Sequence, residues 1–141
     1  MITNGKRLTK RQAAWQGSKW ITPKRRLAIY LRDGLCCCWC GAGIEDGAVL
    51  SLDHVKPHFH GGGNETGNLV TSCKRCNSSR GDRSVASFAR AVAAYLNHGM
   101  TPDQIVRRVR NSQKREADTA TAGEMLARRG NISTAMREVR S

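Results

Sequence analysis

Residues 36–77, CCCWCGAGIEDGAVLSLDHVKPHFHGGGNETGNLVTSCKRCN, decide the fold of this chain. Cys37 with Cys40 and Cys73 with Cys76 both have the CxxC spacing. Each such turn lets two sulfurs converge on one ion at about 2.3 Å, so two turns close a tetrahedral thiolate site, the usual donor set of structural zinc. Four thiolates leave no open position for water, so the chemistry must come from elsewhere. Cys36 and Cys38 lie outside that register and read as bystanders, one packed inward as a small hydrophobe and the other exposed. Two disulfides, or cysteines that merely fill a small core, are the alternatives, and a reducing compartment disfavours the former.

The 32 residues between Cys40 and Cys73 exceed the roughly 15 to 20 of a plain zinc ribbon. The excess begins with an apolar run, Ala48 to Leu52, that suits a strand, followed by the pair Asp53 and His54. A loop by composition, KPHFHGGGNETG (56–67), leads into the return segment NLVTSCKRCN (68–77). Zinc would thus pin both ends of an excursion that carries Asp53, His54 and Asn68, with Asn77 just past the last cysteine. Adjacent strand residues point to opposite faces, so Asp53 and His54 share a site only where the strand ends or twists. In that arrangement Asp53 and Asn77 offer two oxygen ligands to a hard divalent cation, the rest of its shell being water and substrate phosphate. A neutral His54 imidazole can take a proton from an attacking water near pH 7. Asn68 exchanges no protons usefully and is expected to orient the His54 ring or the strand–loop backbone. A histidine beside an aspartate is by itself usually a solvated ring next to a turn cap; the reading rests on the four residues together.

The blocks RDGLCCCWCG (32–41), LDHVKPHFHGG (52–62) and GNLVTSCKRCNSSRGDR (67–83) resemble, in order and spacing, those of the HNH endonucleases, the ββα-metal nucleases that hydrolyse DNA. The resemblance covers roughly residues 32–83. It implies an α+β fold with a small zinc-stabilised ββα-metal core flanked by basic helices. It also implies His54 as general base, Asn68 as the middle Asn of the name, Asp53 and Asn77 as ligands of the catalytic metal, and Cys37, Cys40, Cys73 and Cys76 around structural Zn²⁺. Asn77 stands where the family name has a final histidine, which makes this an HNN variant of the kind found in some phage, bacterial and CRISPR-associated members. An amide oxygen is a harder ligand than imidazole and tilts the catalytic ion toward Mg²⁺ or Mn²⁺. Lys56, Lys74, Arg75, Arg80 and Arg83 flank this centre as phosphate contacts, each with a solvated charge as the plainer reading. DNA is the implied partner, a phage packaging terminase a further one, and a monomer or weak dimer the implied state.

Outward from this centre the charge is lopsided. The chain of 141 residues carries a formal net charge of +13, with nine Lys/Arg against one acid in residues 1–35, five against five in 36–83, and ten against five in 84–141. Basic flanks around a neutral middle suit a polyanion held by the arms. The start, MITNGKRLTKRQ, is too polar for a secretory signal and no apolar run approaches a membrane span, so a cytoplasmic location is expected. Three divisions are expected: a flexible basic arm at 1–21, a nuclease domain with flanking helices at 22–99, and a basic helical extension at 100–141. Thr22 and Pro23 start a helix that runs to about Arg32; a second helix over SRGDRSVASFARAVAAYLNHG ends near Gly99, where His98 would meet the helix dipole; Thr101 and Pro102 start a third. TAGE at 121–124 reads as a capping box and the last fifteen residues as a frayed helix. Trp15, Trp20 and Trp39 are candidates for base stacking, with core packing or a lid on the zinc site as the default. Arg107, Arg108 and Arg110 form a cluster that tracks DNA backbone or simply faces solvent. A catalytically silent zinc-binding DNA module and a basic protein adaptor are the competing functions.

Overall fold

The computed structural model describes residues 20–96 and 99–140; the expectations for Trp15, His98 and most of the basic arm lie outside these residues. Helix α1 (Pro23–Arg32) starts where Thr22 accepts a hydrogen bond from the Arg25 N–H and Pro23 occupies the first turn. Strand β1 (Leu50–His54) pairs antiparallel with β2 (Leu69–Cys73) in the register Leu50↔Cys73, Leu52↔Thr71 and His54↔Leu69. The strand therefore runs two residues later than the apolar run Ala48–Leu52 and includes both Asp53 and His54. Helix α2 (Lys74–Arg80) follows β2 directly and completes the ββα unit.

Strand alternation sorts the side chains onto two faces. One face carries Leu52, Thr71 and Leu69 against Ile29 and Tyr30 of α1, and the Thr71 hydroxyl donates to the Ile29 carbonyl. The other carries Ser51, Asp53 and Val70 toward α2 and the central core, where Val70 packs with Trp39, Val55 and Phe88. Every residue of β2 is buried, as expected of a strand covered on both faces.

The single helix expected from Ser79 to Gly99 is instead two. Gly81, at φ 57°, breaks the chain after α2, and Ser84 caps the new helix α3 (Val85–Leu96) by accepting from the Ser87 N–H. Helix α4 (Pro102–Lys114) begins with a capping box, Thr101 with Gln104. Helix α5 (Thr119–Arg129) is capped by Asp118 rather than by the TAGE motif, because Asp118 reaches the Thr121 N–H first. Helix α6 (Ile132–Arg140) closes the described chain as an ordered helix. Ile105 and Val109 of α4 are fully buried in the same core as Trp39 and Val70, while Ala122, Met125 and Ala135 pack on Leu27 and Ala28 of α1. No helix among the described residues is long and apolar enough to cross a membrane.

Candidate active site and metal centre

The four cysteines of the two CxxC turns converge, with their sulfurs all within 4.8 Å of one another. Cys40 Sγ and Cys73 Sγ are 3.8 Å apart. That is the edge, about 3.8 Å, of a tetrahedron whose centre sits about 2.3 Å from each sulfur. Backbone N–H groups of Trp39 and Cys40 point at the Cys37 sulfur, that of Ala42 at Cys40 and that of Cys76 at Cys73. Such donors stabilise thiolates. Hydrogen bonds from Cys37 and Cys76 lower the Cys40 thiol to about 3, and those with Cys37 and Cys40 push Cys76 up. Four thiols this close cannot all ionise beside one another without a cation, so the donor set fits a structural zinc ion. Cys38 is buried with its sulfur 3.3 Å from Ser112 Oγ, and Cys36 is half-buried, donating to the Gly34 carbonyl.

His54 ends β1 on the α1 side, half-buried. Its Nε2 lies 2.8 Å from Asn64 Oδ1. An amide oxygen only accepts, so Nε2 donates in this contact, and the neutral ring has its lone pair on Nδ1. Trp20 lies over the ring at 4.9 Å between centroids, and His58 meets it edge-on at 6.1 Å. Arg25 donates to the Asn64 carbonyl at 2.7 Å, which ties this loop to α1. Asn64 follows three glycines, in a loop that turns back toward the strand and brings its side chain to His54.

Asn68 does not touch the His54 ring. Its amide donates to the Lys56 and Gly63 carbonyls and its oxygen accepts from the Lys56 N–H, so it braces the loop backbone.

Asp53 faces the other way, and the open cation ligand expected there meets a different arrangement. Its Oδ1 is 2.8 Å from Arg80 Nη1 and its Oδ2 accepts from the Trp39 indole at 2.9 Å; the residue is 4 % exposed. Burial pushes its carboxyl up, while the Arg80 charge and the Trp39 bond pull it back. Asn77 of α2 lies toward the same face of β1 as Asp53 and donates to Ser51 Oγ and the Leu52 carbonyl, leaving its amide oxygen as the remaining polar atom. A cation at Asp53 would share its carboxylate with a guanidinium, and like charges at that separation repel. The cation therefore fits beside Asn77 with Asp53 only where the Arg80 head group gives way.

Arg80 itself overturns the expectation of a phosphate contact. Its side chain is 1 % exposed, donates to the His54, Val55 and Arg83 carbonyls besides Asp53, and stacks on Trp39 at 5.2 Å. Trp39, fully buried, is a core residue beside the cysteines and not a base-stacking one. Arg108 likewise turns inward to the Cys38 and Trp39 carbonyls, which splits the cluster expected with Arg107 and Arg110. Lys56, Lys74, Arg75 and Arg83 stay exposed. Of these, Arg75 has its basicity raised by the thiolates of Cys73 and Cys40, and Arg83 donates to the Ser79 carbonyl.

Comparison with curated proteins gives no match. Among solved structures, the crystal structure of the Type II-C Cas9 enzyme from Actinomyces naeslundii is similar at 22% identity and a TM-score of 0.42, over 75% of this chain and 13% of that one. The family model of the HNH endonucleases matches residues 37–92, from the first CxxC cysteine into helix α3. That segment, with its paired strands, its helix and its cysteine knuckles, is thus similar to the HNH endonucleases.

Proposed function

We propose that this protein hydrolyses phosphodiester bonds in DNA, with zinc in the four-cysteine site and a second divalent cation, Mg²⁺ or Mn²⁺, at the reaction centre. The observation that carries the reading is the His54 ring, oriented through its Nε2 contact with Asn64. His54 Nδ1 takes the proton of the attacking water, and Asn64 holds the ring in that tautomer as the imidazolium forms. Asn68 keeps the loop that carries Asn64 in place by clamping Lys56 and Gly63. When bound, the divalent cation neutralises charge developing on the phosphate and on the leaving 3′ oxygen. Asn77 would hold it through its amide oxygen, and Asp53 would join only where the Arg80 head group gives way. Exposed Lys56, Lys74, Arg75 and Arg83 attract the DNA backbone and carry no base information.

Nicking of supercoiled plasmid with and without Mg²⁺ or Mn²⁺, run beside His54→Ala, tests this. Cleavage that depends on the added cation and falls by about 10²- to 10⁴-fold in the variant is expected, the usual worth of general base catalysis. Cleavage unchanged in His54→Ala removes the mechanism. One observation favours a second reading, a silent zinc-binding DNA module: the Asp53 carboxylate is already paired with buried Arg80, which braces the strand. That reading predicts DNA binding and no nicking with any cation.

A further inference from the structure

The loop between the two strands carries a phenylalanine that the fold does not use. Phe59 is 85 % exposed, more than the other exposed large apolar side chains among the described residues, Val49 at 61 %, Tyr95 at 81 % and Val139 at 51 %. Leaving a ring of that size in water forgoes roughly 1.5 to 3 kcal/mol of burial. A frayed tip would explain such exposure, but this loop is built. The Pro57 carbonyl accepts from both His60 and Gly62, the His58 carbonyl accepts from Gly61, and Asn68 clamps the base of the loop at Lys56 and Gly63. At Gly62 the backbone packs so closely on the Lys56 carbonyl that a Cβ would overlap it. The ring itself is set edge-on to His60 at 5.2 Å and 74°.

Its surroundings select the kind of surface it meets. Residues 54–63 hold one lysine and three histidines and no acid, with Asp82 reaching in from outside to His60 at 3.6 Å. The His58 ring, one residue before Phe59, contacts the His54 ring. A flat apolar face presented on a rigid, basic loop next to the nuclease centre fits a nucleobase whose own phosphate is held close by. A protein partner would find one ring here without a surrounding apolar patch.

Resting on the nuclease reading above, we infer that Phe59 stacks on or wedges against a base next to the scissile phosphate, so that the protein favours DNA steps that open easily. The test measures binding rather than cleavage. Duplexes with 2-aminopurine placed at successive positions are titrated with zinc-loaded His54→Ala protein, then with the same protein carrying Phe59→Ala, Phe59→Trp or Tyr95→Ala. Expected are a rise in 2-aminopurine fluorescence at one or two positions, its loss with Phe59→Ala together with about 5- to 150-fold weaker binding, and its retention with Phe59→Trp and Tyr95→Ala. The fold-change corresponds to the usual worth of a base on an aromatic ring. Equal affinity and an unchanged fluorescence pattern in Phe59→Ala would overturn the stacking role and leave the nuclease reading standing. No DNA binding by the protein with Phe59 intact would overturn both.

Discussion

Arg80 shows how much one side chain can decide. It is the buried counter-ion of Asp53 and the cap on the His54 and Val55 carbonyls where β1 ends. Removing it strands a carboxylate with 4 % exposure. Arg80→Ala is expected to lower unfolding stability in urea by about 3 to 5 kcal/mol, with a clear part recovered by adding Asp53→Asn, since the second change removes the orphaned charge. Additive losses in that cycle would contradict the pairing. Cys38 supports a second expectation. Burial pushes its thiol up to about 12, whereas an unfolded thiol releases its proton near about 8.5. Between those values the folded state binds the extra proton, so this group's contribution to stability falls as pH rises above about 8.5. At pH 8 Cys38 should resist iodoacetamide in the zinc-bound protein while half-buried Cys36 is modified first, which peptide mass spectrometry reads directly.

Among the elements, α4 is the one whose part was least legible. Its start was: Thr101 and Pro102 mark it in any reading of the chain. Its destination was not, because the arginines that make it look like a DNA-facing helix include Arg108, which caps the Cys38 and Trp39 carbonyls inside the knuckle. Residue type tells that a side chain is charged; only packing tells which way it turns. Arg108→Ala is expected to speed zinc loss to a chromophoric chelator by about 10- to 100-fold, the range for losing a support behind metal ligands; Arg107→Ala, on the exposed side of the same helix, should leave it unchanged. The cysteine knuckles and the paired strands were readable because CxxC spacing and apolar runs are local signals. The split at Gly81 and the Asp118 cap were written in the chain too, but each competed with a plausible neighbour, an unbroken apolar stripe in one case and TAGE in the other. The Asn64 contact to His54 spans a loop, and no local pattern announces it.

For the whole molecule, the cysteine site and the core are one system. The cysteine site joins the turn before β1 to the start of α2, and Trp39, Val70, Phe88, Ile105 and Val109 pack around it. Zinc removal by a strong chelator should therefore unfold the chain cooperatively, with loss of helical circular dichroism and of the buried tryptophan signal together, and restored zinc should recover both. Loss of zinc with the helices intact would show that the core stands without it. The buried ion pairs leave the formal charge of +13 on the outside nearly intact, since each buried arginine is matched by a buried carboxylate, Asp53 or Asp33. Arg80 and the Arg32 side chain are buried, the latter on Asp33 and the Thr66 and Leu69 carbonyls, and Arg108 is turned inward.

The position of α4 has a consequence for the order in which the molecule is made. Its buried side chains, at 105 and 109, lie roughly thirty residues beyond the last knuckle cysteine, at 76, yet they line the same core. During synthesis at about 5 to 20 residues per second, a nascent chain holding both strands and the first helix after them waits seconds with Trp39 and Val70 incompletely covered. The candidate site is translated in full before the helix that completes its core.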